Sequence, residues 1–226
     1  MNLLYDAVGA NFNLESFHRS RELTQESLHL FSQQLRPGTT CREAIKLCNS
    51  IMSSLGATKL WHQTFVRFGK NTIFGYEDAL ELDSVLSDSD IVTVDVGPVF
   101  LGHEGDGGTT IVVGSPNSEY LRISQDVKKI FSETERVWRQ KKLSGAQLYA
   151  FAEQFAADMG WRSIPNYVRG HRVADFPHRI HWQGDLAACE TTPTPDRWVL
   201  EIQIADPQLR FGAFFEDVLT SLPQVD

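Results

Sequence analysis

Residues 35–57 read LRPGTTCREAIKLCNSIMSSLGA, and residues 141–161 read KKLSGAQLYAFAEQFAADMGW. Both run in the same order: break, cap, amphipathic helix, glycine. In the first, Arg36-Pro37-Gly38 stops a preceding helix and Thr39 or Thr40 can cap the next. Ala44, Ile45, Leu47, Cys48, Ile51 and Met52 then recur at helical spacing until Gly56. In the second, Leu143-Ser144-Gly145 makes the break, and a helix over 146–159 closes at Gly160. Long helical patterns precede them, over 15–35 and 119–140. Segments rich in β-branched and aromatic residues follow them, at 60–68, 91–96 and 109–113 in the first half and near Val168, at 198–204 and at 212–219 in the second. A chain that twice sets a helix pair before a group of strands predicts an α+β fold with a pseudo-twofold repeat. Its expected form is a curved, mixed sheet covered by helices on one face, with a site between the halves. No low-complexity linker separates the halves, and a single core commonly grows to about 250 residues before splitting. One domain over 1–226 is expected, with no separate N-terminal domain.

Composition supports a packed core and narrows the partners. Apolar residues make up 42% and charged residues 22%, the balance of ordinary globular proteins. The net charge of −8 and pI of ≈ 5.4 supply no basic field for nucleic acid or an anionic membrane. The most apolar segment, 91–101, contains Asp95 and Pro98 and is far shorter than the ~20 residues of a membrane span. Residues 1–14, interrupted by Asp6, Asn11 and Asn13, do not read as a signal peptide. Cys41, Cys48 and Cys189 lack zinc-type pairing and fit free thiols in a reducing compartment, so a cytoplasmic location is expected.

Three acidic residues stand where apolar strands are expected. Asp95 interrupts Ile91-Val-Thr-Val-Asp-Val96, Glu201 interrupts Trp198-Val-Leu-Glu-Ile202, and Glu216 follows Phe214-Phe215. A buried charge must be paired, hydrogen-bonded or metal-bound. Asp106, in Glu104-Gly-Asp-Gly-Gly108, would meet Asp95 across a hairpin. Four carboxylates in one pocket would raise one another's pKa values, whereas two divalent cations would balance all four charges. His171, after Gly170, adds one imidazole. His103 is expected at the hairpin surface, and Arg172 and Arg179 solvated or paired with acids. A small zinc site of His171, His178 and His181 would need a spacing that is not a recognised pair.

In their order these motifs resemble the pita-bread metallopeptidase family, which includes methionine aminopeptidase, aminopeptidase P, prolidase and the metal-free creatinase. Val94-Asp-Val-Gly-Pro98 with Gly102-His-Glu-Gly-Asp-Gly-Gly-Thr-Thr110 looks like the family's double-aspartate hairpin. Gly170-His171, Glu201 and Phe215-Glu216 follow in the family's order. The resemblance spans about residues 15 to 220. It implies a pita-bread fold and two divalent metal ions, manganese first, with cobalt, iron or zinc as substitutes. Asp95 would bind one ion, Asp106 and Glu216 would bridge the two, and His171 and Glu201 would complete the ligand set of the second ion. The resemblance further implies that Glu201 shuttles a proton and that His178 contacts the substrate carbonyl and the tetrahedral intermediate. The substrate implied is a short peptide or related amide, cut at its N-terminal bond (Xaa-Pro or similar), and a homodimer partner could supply closing contacts. A catalytically silent peptide- or protein-binding module and a creatinase-like amide hydrolase use the same fold. The family's Gly-His-Gly-x-Gly reads Gly-His-Arg-Val-Ala over 170–174, implying an altered pocket wall, and Ile202 stands where proline is common. A further family histidine has no counterpart in 69–76, and His62 is a weak match.

Overall fold

The computed structural model describes residues 6–115, 117–164, 168–177 and 184–222. Its helices begin where the caps predict. Asn13 accepts the Ser16 N–H at 2.9 Å to start α1 (Leu14–Gln34). Thr40 with Glu43 forms a capping box for α2 (Cys41–Ser54), and Ser144 with Gln147 forms the same box for α4 (Gly145–Asp158). Between them α3 (Ser118–Lys141) is capped by Asn117 and ends where Lys142 turns left-handed.

The strands, in chain order, are β1 (Lys59–Leu60), β2 (Phe65–Phe68), β3 (Ser89–Val96), β4 (Pro98–Phe100), β5 (His103–Glu104), β6 (Gly107–Gly114), β7 (Arg162–Ser163), β8 (His171–Arg172), β9 (Trp198–Ala205) and β10 (Gly212–Val218). The main sheet runs β2-β3-β6-β10-β9-β7, with β8 also on β9; β1, β4 and β5 form a small second sheet. Each pairing among the described residues is antiparallel, which corrects the mixed sheet expected from sequence. The reason lies in the helices. A parallel pair needs a single crossover, whereas α3 and α4 form an up-and-down pair that returns the chain to the end of the sheet it left.

Side chains alternate across each strand, and the two faces have different occupants. Val92, Val94 and Val96 of β3 pack with Phe31, Cys48 and Met52 under α1 and α2. Leu200, Ile202 and Ile204 of β9 pack with Ile130 and Leu148 under α3 and α4. Burying each such side chain stabilises the fold by about 1.5–3 kcal/mol. Asp95, Glu201 and Glu216 occupy the alternate positions and so face away from both helix pairs. No helix among the described residues is long and apolar enough to cross a membrane. Cys41, Cys48 and Cys189 are free and buried.

Candidate metal centre

Strand register puts the acidic residues in line. Phe65, Asp95, Gly108, Glu216 and Glu201 are successive partners across β2, β3, β6, β10 and β9. Neighbouring strands lie about 4.8 Å apart, so the row presents three carboxylates over four strands. The position between Asp95 and Glu216 has no side chain. A Cβ on Gly108 would stand 2.3 Å from Cε1 of Phe214, so glycine keeps the middle of the row open. Two residues further along the strands, Asp106 leads into β6 and His171 pairs with Val199. Both lie above the row.

Asp95, Asp106, His171, Glu201 and Glu216 line one cavity of ≈ 270 Å³. His171 Nε2 is 2.8 Å from Asp106 Oδ2 and 3.5 Å from Glu201 Oε1. Its Nδ1 is 2.8 Å from the Arg172 carbonyl, which fixes the proton on Nδ1 and turns Nε2 toward the acids. Glu201 is held by its backbone as well. β8 pairs with β9 at residues 198 and 199 and β7 at 204 and 205. In the gap between them the Tyr149 hydroxyl accepts the Glu201 N–H at 3.1 Å and donates to its carbonyl at 3.0 Å. His178, predicted from sequence as a carbonyl-contacting residue, lies outside the described residues.

His62, passed over in the sequence as a weak match, reaches the same place. It enters from the loop between β1 and β2, and its Nε2 is 3.5 Å from Asp95 Oδ1 and 3.5 Å from Asp106 Oδ1. The segment 60–68, expected as one strand, is broken by this loop, which the indole of Trp61 ties down by donating to the Gly105 carbonyl at 2.9 Å. His103 departs from the hairpin surface expected for it, and Arg172 from a solvated position. His103 is buried, with Nδ1 2.8 Å from the Leu101 carbonyl and Nε2 accepting the Asn13 N–H at 2.9 Å. Arg172 is buried on the face opposite His171, 5.4 Å from the Trp198 ring and donating to the Arg197 and Ala7 carbonyls. The cavity lining contains none of Arg172, Val173 and Ala174, so the altered motif does not reshape the wall among the described residues.

The electrostatics describe a centre short of positive charge. Burial pushes Asp95 up to about 6, against the pull of His62. Burial, joined by the neighbouring carboxylates, pushes Glu201 and Glu216 well above the carboxylate range, with His171 opposing at Glu201. Burial acts the same way on Asp106, but His171 and then His62 outweigh it and hold that carboxyl below its ordinary value. Burial would lower both imidazoles, yet Asp95 and Asp106 raise His62 to about 9, and Asp106 with Glu201 raises His171 to about 10. Oε1 of Glu216 is buried and accepts no hydrogen bond among the described residues. An orphaned carboxylate oxygen facing further carboxylates fits a cation, and an oxygen-rich donor set with imidazole suits a hard or borderline divalent ion.

Residues 15–219 match metallopeptidase family M24. The chain belongs to this family. A methionine aminopeptidase of Clostridium perfringens (strain 13 / Type A) is 22% identical over 175 residues, 73% of this chain and 67% of that protein. Among solved structures, an X-Pro aminopeptidase from Thermotoga maritima MSB8 superposes with a TM-score of 0.74 at 20% identity, over 96% of this chain and 62% of that one. A methionine aminopeptidase from Thermotoga maritima gives 0.73 at 16% identity, over 96% of this chain and 99% of that one. The M24 chain described here thus spans under two thirds of the X-Pro aminopeptidase and the whole length of this methionine aminopeptidase. The likeness bears out the pita-bread architecture that the ordered motifs implied by resemblance.

Proposed function

We propose that this M24 chain is a dinuclear metal-dependent aminopeptidase that removes the N-terminal residue of short peptides or related amides, Xaa-Pro substrates included. One observation carries the reading: the cross-strand row Asp95, Gly108, Glu216, Glu201, with Asp106 and His171 above it, in a cavity large enough for a side chain. Asp95, Asp106, His171, Glu201 and Glu216 would hold two divalent ions, manganese first and cobalt, iron or zinc as substitutes. When bound, such ions supply Lewis acidity toward a carbonyl oxygen and lower the pKa of water.

The chain's own groups do the rest. Glu201, fixed at its backbone by Tyr149 and raised in pKa by burial, is suited to take a proton from the attacking water and return it to the leaving amine. His178, seven residues after His171, is assigned to the developing oxyanion because it matches the family histidine that the resemblance places there. Trp61, Phe65, Phe74 and Tyr76 wall the cavity and offer apolar surface to the substrate's first side chain while limiting water around the cleaved bond. A homodimer would complete the cavity rim.

The test is elemental metal analysis together with a panel of dipeptides, Met-Xaa and Xaa-Pro among them, assayed with and without Mn²⁺. The reading predicts two ions per chain and chelator-sensitive cleavage, both lost in Asp106→Asn. Stoichiometric peptide binding without turnover on metal-loaded protein would contradict it.

A further inference from the structure

The proposed ligand set has one imidazole, His171, yet His62 also points into the same cavity. Its distances are long for a hydrogen bond and suit a fellow ligand. His62 Nε2 stands 3.5 Å from one oxygen each of Asp95 and Asp106, beyond the usual limit of about 3.2 Å for N–H···O contacts. Ligand atoms held about 2.1 Å from one ion are separated by about 3.0 Å in octahedral and about 3.4 Å in tetrahedral geometry. A nitrogen and two carboxylate oxygens, all within 4.8 Å of one another, meet that spacing with little movement.

The ring is also set up to donate a lone pair. Nδ1 is 2.7 Å from the Gln63 carbonyl, so its proton belongs there and Nε2 is free to face the acids. His171 uses the same device, Nδ1 against the carbonyl of the next residue. Metal-binding histidines are characteristically oriented by such a contact. The two imidazoles approach Asp106 from opposite sides, His62 at Oδ1 and His171 at Oδ2.

Finally, the backbone reserves space for the ring. A Cβ on Gly97 would lie 2.2 Å from Cδ2 and 2.4 Å from Nε2 of His62, so the imidazole fills the slot of a missing side chain just past the end of β3, two residues after Asp95. The Trp61 N–H donates to the Gly97 carbonyl at 2.8 Å and its indole to Gly105. These bonds hold the loop at both neighbours of the site, and the His62 side chain is only 6% exposed.

We propose that His62 is a further metal ligand, joining Asp95 and Asp106 on one ion so that the dinuclear centre carries two imidazoles instead of one. This rests on the dinuclear reading of the site. A second borderline nitrogen donor shifts preference from Mn²⁺ toward Co²⁺ and Zn²⁺.

The experiment is pulsed EPR of the Mn²⁺-loaded protein, counting imidazole nitrogen couplings, with calorimetric titration of Mn²⁺ and Co²⁺ into wild type, His62→Ala and His62→Gln. Two coupled imidazoles are expected in wild type and one in each variant. One ion should weaken at least about tenfold, with a larger loss for Co²⁺ than for Mn²⁺. A wild-type spectrum with a single imidazole overturns the proposal without reference to any variant, and so does wild-type affinity for both ions in His62→Ala. A wild-type protein that takes up no ion overturns the dinuclear reading, and this inference with it.

Discussion

Gly108→Ala tests the carboxylate row at its centre while leaving every ionisable group in place. The new Cβ would lie 2.3 Å from Cε1 and 2.7 Å from Cδ1 of Phe214, and 3.0 Å from the Val94 carbonyl oxygen. The backbone oxygen is fixed by the pairing of β3 with β6, so Phe214 must give way. Its ring lines the cavity and can move only into it or against its neighbours. Overpacking of this kind costs about 1–3 kcal/mol, which at about 2–4 °C per kcal/mol for a chain of this size lowers Tm by about 2–12 °C. The methyl also stands between Asp95 and Glu216, where the proposed centre would close around cations. Metal-induced stabilisation should therefore shrink as well as the baseline. Calorimetry of metal-free and Mn²⁺-loaded protein separates the two effects. An unchanged Tm together with an unchanged metal-induced shift would refute the reasoning, because it would mean that Gly108 does not border the centre.

Two more predictions follow from the same geometry. Tyr149→Phe removes the hydroxyl that serves both backbone groups of Glu201; leaving them buried and unpaired costs about 1–3 kcal/mol. Cleavage rate should fall while metal stoichiometry stays at the wild-type value, and an unaltered rate would show that β9 does not need this support. Metal uptake should strengthen with pH. Protons occupy His62 up to about 9 and His171 up to about 10 in the metal-free protein, and binding must expel them. Affinity therefore climbs with pH throughout the range below these raised values and levels above them. Titrations in buffers of different ionisation enthalpy should register proton release, and a pH-independent affinity without it would contradict the assignment.

The helices were legible because local chemistry decides them. Thr40 with Glu43 and Ser144 with Gln147 are caps that need no tertiary partner. Asp95, Glu201 and Glu216 were legible for the opposite reason, since a carboxylate on an apolar strand is an anomaly that demands a cation or a partner. What hid His62 was its setting. Trp61-His-Gln-Thr-Phe65 lies among strand-forming residues and reads as continuous strand, while the loop that aims the ring is imposed by Gly97 and Gly105, more than thirty positions away. Gly108 carried no signal of its place, because its partner across the row is set only when β10 pairs with β6. Tyr149 carried no signal either, because the Glu201 backbone that it serves lies 52 positions away. The direction of the strands depended on the even number of helices between β6 and β7, a global property that strand patterning does not encode.

On the proposed reading, the row and the two groups above it hold a pair of divalent ions. Crystals grown with excess Mn²⁺ and measured at the manganese edge test this directly. The account predicts two anomalous peaks in the cavity, each contacted by carboxylate oxygens from the set Asp95, Asp106, Glu201 and Glu216. Peaks confined to other parts of the surface, or none at all with the cavity accessible, would contradict it.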